Sequence, residues 1–90
     1  MKMMVYTIKD LAAQVCNRPF FLRHAGEALR MFTDEINRDA EDNNLFRHAD
    51  DYELYELGEY EDTDGSFTLH KAPKLMCQGK QVRRPPTALS

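Results

Sequence analysis

The sequence predicts an α+β domain: a small antiparallel sheet built from two hairpins, in the order β-β-α-β-β, with one amphipathic helix packed on one face. Three observations carry this reading. Residues 4–8 alternate, with Met4, Tyr6 and Ile8 on one parity. Ala25, Ala28, Leu29, Phe32 and Ile36 recur at i, i+3, i+4, i+7 and i+11, the stripe of an α-helix. Asp62-Thr63-Asp64-Gly65 separates two strand-like runs and places Gly65 at the left-handed position of a hairpin turn.

In chain order, the first strand covers residues 4–8, whose β-branched and aromatic side chains suit a pleated surface, and Lys9-Asp10 stops it. Residues 11–14 have the composition of a helical turn. Asn17-Arg18-Pro19 interrupts it, because Pro19 drives Arg18 towards extended geometry. Phe20-Phe21-Leu22-Arg23-His24 reads as a second strand, short and largely buried. The helix follows over about residues 26–38, with Glu27 in the first turn, where the helix dipole favours an anion. Asp34 and Arg38 are spaced as an i,i+4 ion pair, and His24 or Gly26 must serve as an N-cap weaker than Ser or Asp. Residues 39–44 lose all periodicity and are rich in turn formers, so the helix ends near Arg38 or Asp39 in a surface loop. Residues 52–60 have strand composition, but their apolar positions change parity between Leu54 and Leu57, which predicts a bulge near Gly58. Residues 66–70 alternate again and return as the last strand. The ordered domain is placed at residues 3–76 and a basic tail at residues 77–90, its last ten residues extended and mobile around Pro85-Pro86.

Ninety residues and 10.5 kDa bound the chain to one domain and exclude a separate cofactor domain. At 42 % hydrophobic and 30 % charged residues, the composition is that of a folded chain. No stretch approaches the roughly 20 apolar residues that span a bilayer, and the first ten residues lack an apolar signal core, so a cytoplasmic, non-membrane protein is expected. Cys16 and Cys77 stand alone and read as reduced thiols. The net charge of −3 hides an asymmetry, because all 15 acidic residues lie at or before Asp64 and five of the 12 basic ones follow it. An acidic body thus carries a basic C-terminal part.

Enzymatic and metal-dependent chemistry find little support in the spacing of residues. Asp39, Glu41, Asn43 and Asp50 imitate a calcium loop, but Asn44 replaces the sixth-position Gly and Asp50 the twelfth-position Glu. Asp62-Thr63-Asp64-Gly65 fails in the same way. Cys16, His24, His48, His70 and Cys77 form no close pair of the kind zinc needs. A Cys16–His24 nucleophile lacks flanking signature and oxyanion donors. Gly26, Gly58, Gly65 and Gly79 are too far apart for a phosphate-binding loop. A protein without enzymatic activity, cofactor or metal is expected.

Two kinds of contact surface remain. Asp51, Glu53, Glu56, Glu59 and Glu61 crowd one hairpin strand, either as an edge strand protected by charge from self-pairing or as a patch that docks a basic partner or the chain's own tail. Lys71, Lys74, Lys80, Arg83 and Arg84, with no acid among them, suit weak and salt-sensitive phosphate contact. Arg18 and Arg23 flank Phe20-Phe21-Leu22, which is either a core strand or a stacking platform for single-stranded nucleic acid. Phe and Tyr on both parities of the sheet exceed what one helix covers, so a homodimer or larger homo-oligomer is expected.

The pattern Asn17-Arg18-Pro19-Phe20-Phe21, then Gly26-Glu27-Ala28-Leu29-Arg30-Met31-Phe32 leading to Asn37, then Arg47-His48-Ala49-Asp50-Asp51-Tyr52-Glu53-Leu54-Tyr55-Glu56-Leu57-Gly58-Glu59-Tyr60-Glu61-Asp62, Gly65 and Pro73, resembles a known family. It is similar to the small nonstructural protein of gokushovirus-type microviruses, bacteriophages with circular single-stranded DNA genomes. The resemblance covers about residues 3–77. Residues 9–16 look longer and more helical than the family pattern, and residues 83–90 lie outside it. The resemblance implies a protein of the infected bacterial cytoplasm, absent from the mature virion. It also implies likeness to microvirus protein C, which switches replication towards single-strand synthesis and packaging. The expected partners are viral or host replication and packaging proteins, with weak, sequence-independent contact to single-stranded DNA. The alternative is an acidic interaction module that binds such a protein and never touches DNA. The resemblance transfers no catalytic residues.

Overall fold

The computed structural model describes residues 1–85, and its class is the α+β class expected. Five strands, β1 (Lys2–Asp10), β2 (Val15–Cys16), β3 (Phe20–Leu22), β4 (Tyr52–Glu61) and β5 (Ser66–Gln78), make one antiparallel sheet. β1 and β4 pair over nine positions, from Lys2 opposite Glu61 to Asp10 opposite Tyr52. β5 flanks β4, while β3 and β2 take successive halves of the other edge of β1. The two expected hairpins are therefore joined through their first strands. Residues 11–14 form the turn between β1 and β2 and not a helical turn, with the Asp10 carboxylate accepting the Ala12 and Ala13 amides at 3.0 and 3.1 Å.

All helical structure lies on one side of the sheet. Helix α1 (Ala25–Ile36) buries Ala28, Phe32 and Ile36 against Tyr6 and Leu54, with Met4, Ile8, Phe20, Leu22 and Leu29 packed around them. His24 is its N-cap but makes no side-chain capping bond. The helix stops at Ile36, earlier than expected, with Asn37 as its C-cap: the Asn37 backbone amide and side chain both donate to the Thr33 carbonyl, at 3.2 and 2.8 Å. Arg38 then lies outside the helix and pairs with Glu35, at 2.6 and 3.0 Å, and not with Asp34.

The surface loop expected at residues 39–44 is pinned by Asn43, whose amide donates to the Glu35 and Arg38 carbonyls at 2.8 and 2.9 Å. Its Oδ1 caps helix α2 (Asn44–Arg47) by accepting the Leu45 amide at 3.1 Å. A 3-10 turn (Ala49–Asp51) leads from there into β4 and buries Ala49.

The bulge predicted near Gly58 is present. Tyr6 pairs with Glu56 and Val5 with Gly58, so Leu57 is the extra residue. Gly58 has φ +152°, and a Cβ there would run into the Thr68 carbonyl oxygen and stand 2.7 Å from Leu69 Cα. Gly65 adopts φ +75° in the hairpin turn, as its position predicts.

The last strand continues well past His70. β5 slips twice against β4, and the larger slip loops out residues 70–73 around Pro73, which has no amide hydrogen to offer a ladder. Pairing resumes at Lys74 and runs to Gln78. Residues 77–82, assigned from sequence to the tail, are thus built into the domain: Cys77 is buried beside Leu54, and helix α3 (Gly79–Val82) packs on α1 and the 3-10 turn. Asn37 fastens this end too, donating to the Val82 carbonyl at 3.0 Å and accepting the Arg84 amide at 2.7 Å. Two isolated apolar residues, Cys77 and Val82, have no periodicity that would announce this packing. Residues 86–90, the rest of the tail expected to be mobile, lie outside the described residues.

The radius of gyration is 14.3 Å and the extents are 51 × 25 × 21 Å. A compact chain of this length would give about 12 Å, and the excess reflects the β4–β5 hairpin, whose second strand is exposed from Ser66 to Leu75. Gly79→Ala tests whether α3 belongs to the fold, since its Cβ would run into the Ala49 carbonyl oxygen and lie 2.8 Å from Ile36 Cδ1. Urea denaturation should show a loss of about 1–3 kcal/mol; an unchanged midpoint would mean that this segment is loosely attached.

Candidate nucleic-acid interface

Among the described residues every helix lies on one side, and no helix covers the other face of the sheet, although Val5 and Thr7 at its centre are buried. The bulge at Leu57 decides what that face carries. Before it, Tyr52, Leu54 and Glu56 share the parity of Tyr6 and point to the helices; after it, Tyr60 pairs with Met3 and points away. Tyr60 meets Phe67 across the hairpin and Phe21 across β1. The ring centroids are 4.9 Å apart for Tyr60–Phe67, 5.4 Å for Phe21–Tyr60 and 6.2 Å for Phe21–Phe67, all tilted or edge-on. Phe21 is 38 % exposed, Phe67 52 % and Leu69, two residues further along β5, 62 %.

The Phe20-Phe21-Leu22 run, expected as a largely buried strand, is divided between the faces. Phe20 and Leu22 pair with Tyr6 and Met4 and pack on the core, Phe20 lying 5.8 Å from the Tyr6 ring, while Phe21 joins the bare face. Phe20 and Leu22 are thus core residues, and Phe21 is exposed. The aromatic cluster itself was not identified from the sequence, although Tyr60 and Phe67 are equidistant from the Asp62–Gly65 turn and are neighbours in any hairpin of that register.

The basic residues do not converge. Lys71 and Lys74 are exposed along β5, and Arg23 is exposed in the bend after β3. Arg18 lines a shallow hollow with Ile8, Asn17, Phe20 and Met31. Lys80 is exposed on α3, Arg83 places its guanidinium 5.7 Å from the centre of the Phe46 ring, and Arg84 binds Asn37 through its backbone.

β4 is not an edge strand, since it pairs with β1 on one side and β5 on the other. Charge protection of an edge therefore does not explain its acids, and most of them are engaged inside the chain. Glu53 is buried and accepts the Tyr55 hydroxyl at 2.7 Å and the Gln78 amide at 3.0 Å. Glu56 is buried with His70 Nε2 at 2.8 Å. Lys2 reaches Glu59 at 3.6 Å, and the chain's amino group sits 2.7 Å from Glu61 and 2.6 Å from Asp62. Asp51 lies in the 3-10 turn, where its carbonyl accepts the Leu11 amide at 2.7 Å.

Among the described residues no three His, Cys, Asp or Glu side chains group as metal ligands, and no helix is long and apolar enough to cross a membrane. Cys16 is exposed and Cys77 buried, both unpaired.

Fold and surface together define a small α+β protein whose sheet is helix-covered on one face and aromatic and bare on the other. The chain belongs to the phage ORF5 protein family, whose model matches residues 3–82. That match ends on the last residue of α3, five residues beyond the resemblance to a phage protein seen in the sequence. No curated protein and no solved structure matches the chain.

The Tyr55 and Gln78 bonds hold the Glu53 carboxyl below its ordinary value of 4.5. A depressed folded-state value contributes stability above the unfolded value, which disappears as pH falls through the folded one. Glu53→Gln loses this charge-assisted contribution, about 1–2 kcal/mol at neutral pH. The stability gap between wild type and variant, measured by urea denaturation, should be full at pH 7 and narrow below pH 4.5. Parallel stability curves down to acid pH would contradict it.

Proposed function

We propose that this phage ORF5 protein is a non-enzymatic accessory protein that supports single-stranded genome synthesis or packaging in the infected bacterial cytoplasm, contacting single-stranded DNA through its bare sheet face. The observation that carries the reading is the cluster of exposed Phe21 and Phe67 around half-buried Tyr60, on a sheet face that no helix among the described residues covers. Aromatic rings presented on a sheet let unpaired bases stack without regard to sequence, each worth about 1–3 kcal/mol. Arg23 follows Phe21 by two positions and Lys71 follows Phe67 by four, and both cations are exposed. With a net charge of −3, the protein binds weakly and in a salt-sensitive manner. The similarity to gokushovirus nonstructural proteins, and through them to microvirus protein C, points the same way.

The alternative, an acidic module docking a host or viral replication protein, needs free carboxylates; those of Glu53, Glu56, Glu59 and Glu61 have partners within the chain, and of the five acids only Asp51 has no side-chain partner among the described residues. Fluorescence anisotropy with a labelled oligothymidine of about 20 nucleotides tests the DNA reading. Phe67→Ala should weaken binding about 5- to 150-fold, the equivalent of one lost stacking contact. Affinity should also fall as salt rises. Absence of binding at low salt, or binding indifferent to removal of both Phe21 and Phe67, would overturn it.

A further inference from the structure

β5 pairs only with β4, so its outer edge is unpaired among the described residues. Half of that edge is blocked. Lys71, Pro73 and Lys74 sit in and beside the looped-out residues, the charged and proline residues that stop strand edges from pairing. The other half, residues 66–70, carries neither Lys nor Pro and exposes Phe67 and Leu69.

The hydrogen bonds at the hairpin end set the direction of the free backbone groups. The Asp62 amide donates across to the Met1 carbonyl at 3.2 Å, and the Glu61 carbonyl accepts from Gly65 at 2.8 Å. Asp62 therefore faces β1 and Glu61 faces β5. By alternation Glu59, like Glu61, faces β5 and bonds to Thr68, its partner in the register, which leaves the amides and carbonyls of Phe67 and Leu69 pointing outward.

We propose that the outer edge of β5 pairs antiparallel with the same edge of a second copy of this chain, about a two-fold axis through Thr68. In this register Phe67 of one copy lies opposite Leu69 of the other, twice. Both are the outward-facing residues, so each pair exchanges two hydrogen bonds. The two side chains share the bare face, where each Phe67 ring covers the other copy's Leu69, and no charges meet across the axis. Lys71 falls opposite Gly65 of the other copy, beside the Asp62 and Asp64 carboxylates of that turn. A segment that is neutral, apolar on one parity and complementary to itself fits a second copy better than it fits an unrelated strand. Pairing would also join the two aromatic clusters into one face. The inference concerns the edge of the sheet and stands whether or not that face binds DNA.

The test uses the full chain without nucleic acid. Thr68 lies on the axis as a non-hydrogen-bonded pair, with Cα atoms about 4.5 Å apart, within disulfide reach. In a Cys16→Ser background, Thr68→Cys should oxidise to a covalent dimer, whereas Ser66→Cys, whose partner would be His70, should not. In sedimentation equilibrium the wild type should rise from 10.5 kDa towards twice that mass with concentration. Leu69→Lys, at a position 62 % exposed in the single chain, should remain monomeric with an unchanged circular dichroism spectrum. A wild type that stays at 10.5 kDa up to several hundred micromolar, equal cross-linking by Ser66→Cys, or a Leu69→Lys variant that still dimerises would each overturn the proposal.

Discussion

The one-residue slip between β1 and β4 is the constraint on which the rest of the structure depends. These two strands, some fifty residues apart in the chain, form the centre of the sheet, and Leu57 is accommodated by letting Gly58 take a backbone conformation that other residues rarely adopt. Below the slip, Leu54 shares the face of Tyr6 and closes the core under α1. Above it the parity is reversed, and Tyr60 is carried to the face that no helix covers. Without the slip Tyr60 would point to the helix side, and Glu59, now held by Lys2, would lie on the bare face between Phe21 and Phe67. A single extra residue thus separates a core-forming half of the strand from a surface-forming half.

How much of this was legible follows from which interactions are local. The α1 stripe, the turn at Asp62–Gly65 and the parity change at Leu57 are properties of neighbouring residues, and the structure has all three. What the sequence hid is long-range. Nothing near Asn43 or Asn37 announces that one amide ties α1 to α2 and the other clamps α1 to the C-terminal segment. Nothing within residues 77–82 shows that Ile36 and Ala49 wait to receive Gly79. β4 looked like an edge because it is acidic, and its central place emerges only once β1 is known to lie beside it. The site followed the same rule: Tyr60 and Phe67 are hairpin neighbours by local register, but Phe21 reaches them only through the pairing of β3 with β1.

The acidity of β4 has its explanation in the same place. Glu53 and Glu56 are buried on this strand, and a buried charge without hydrogen bonds is costly. Glu53 and Glu56 are satisfied from β4 itself and from β5, by Tyr55, Gln78 and His70, while Glu59 and Glu61 are met from the N-terminus of β1. The acids thereby mark the register on both sides of the strand. Tyr6 is the exception: its hydroxyl is buried with no hydrogen-bond partner among the described residues, and burial, with Glu56 and Glu27 nearby, pushes its phenol up.

A chain of ninety residues has material for one layer of helix over one face of a sheet, and this one uses it fully: α1, α2, the 3-10 turn and α3 all meet in the same core. The second face must then be polar or be covered from outside. Near β2 it is polar, with Thr7 donating to the Asn17 carbonyl at 2.8 Å and Glu53 in its bonds to Tyr55 and Gln78. Towards the hairpin tip it is aromatic, with Phe21, Tyr60 and Phe67 on the face opposite the helices. The apolar surface is thereby concentrated on the face that no helix among the described residues covers, where Phe67 and Leu69 are 52 % and 62 % exposed.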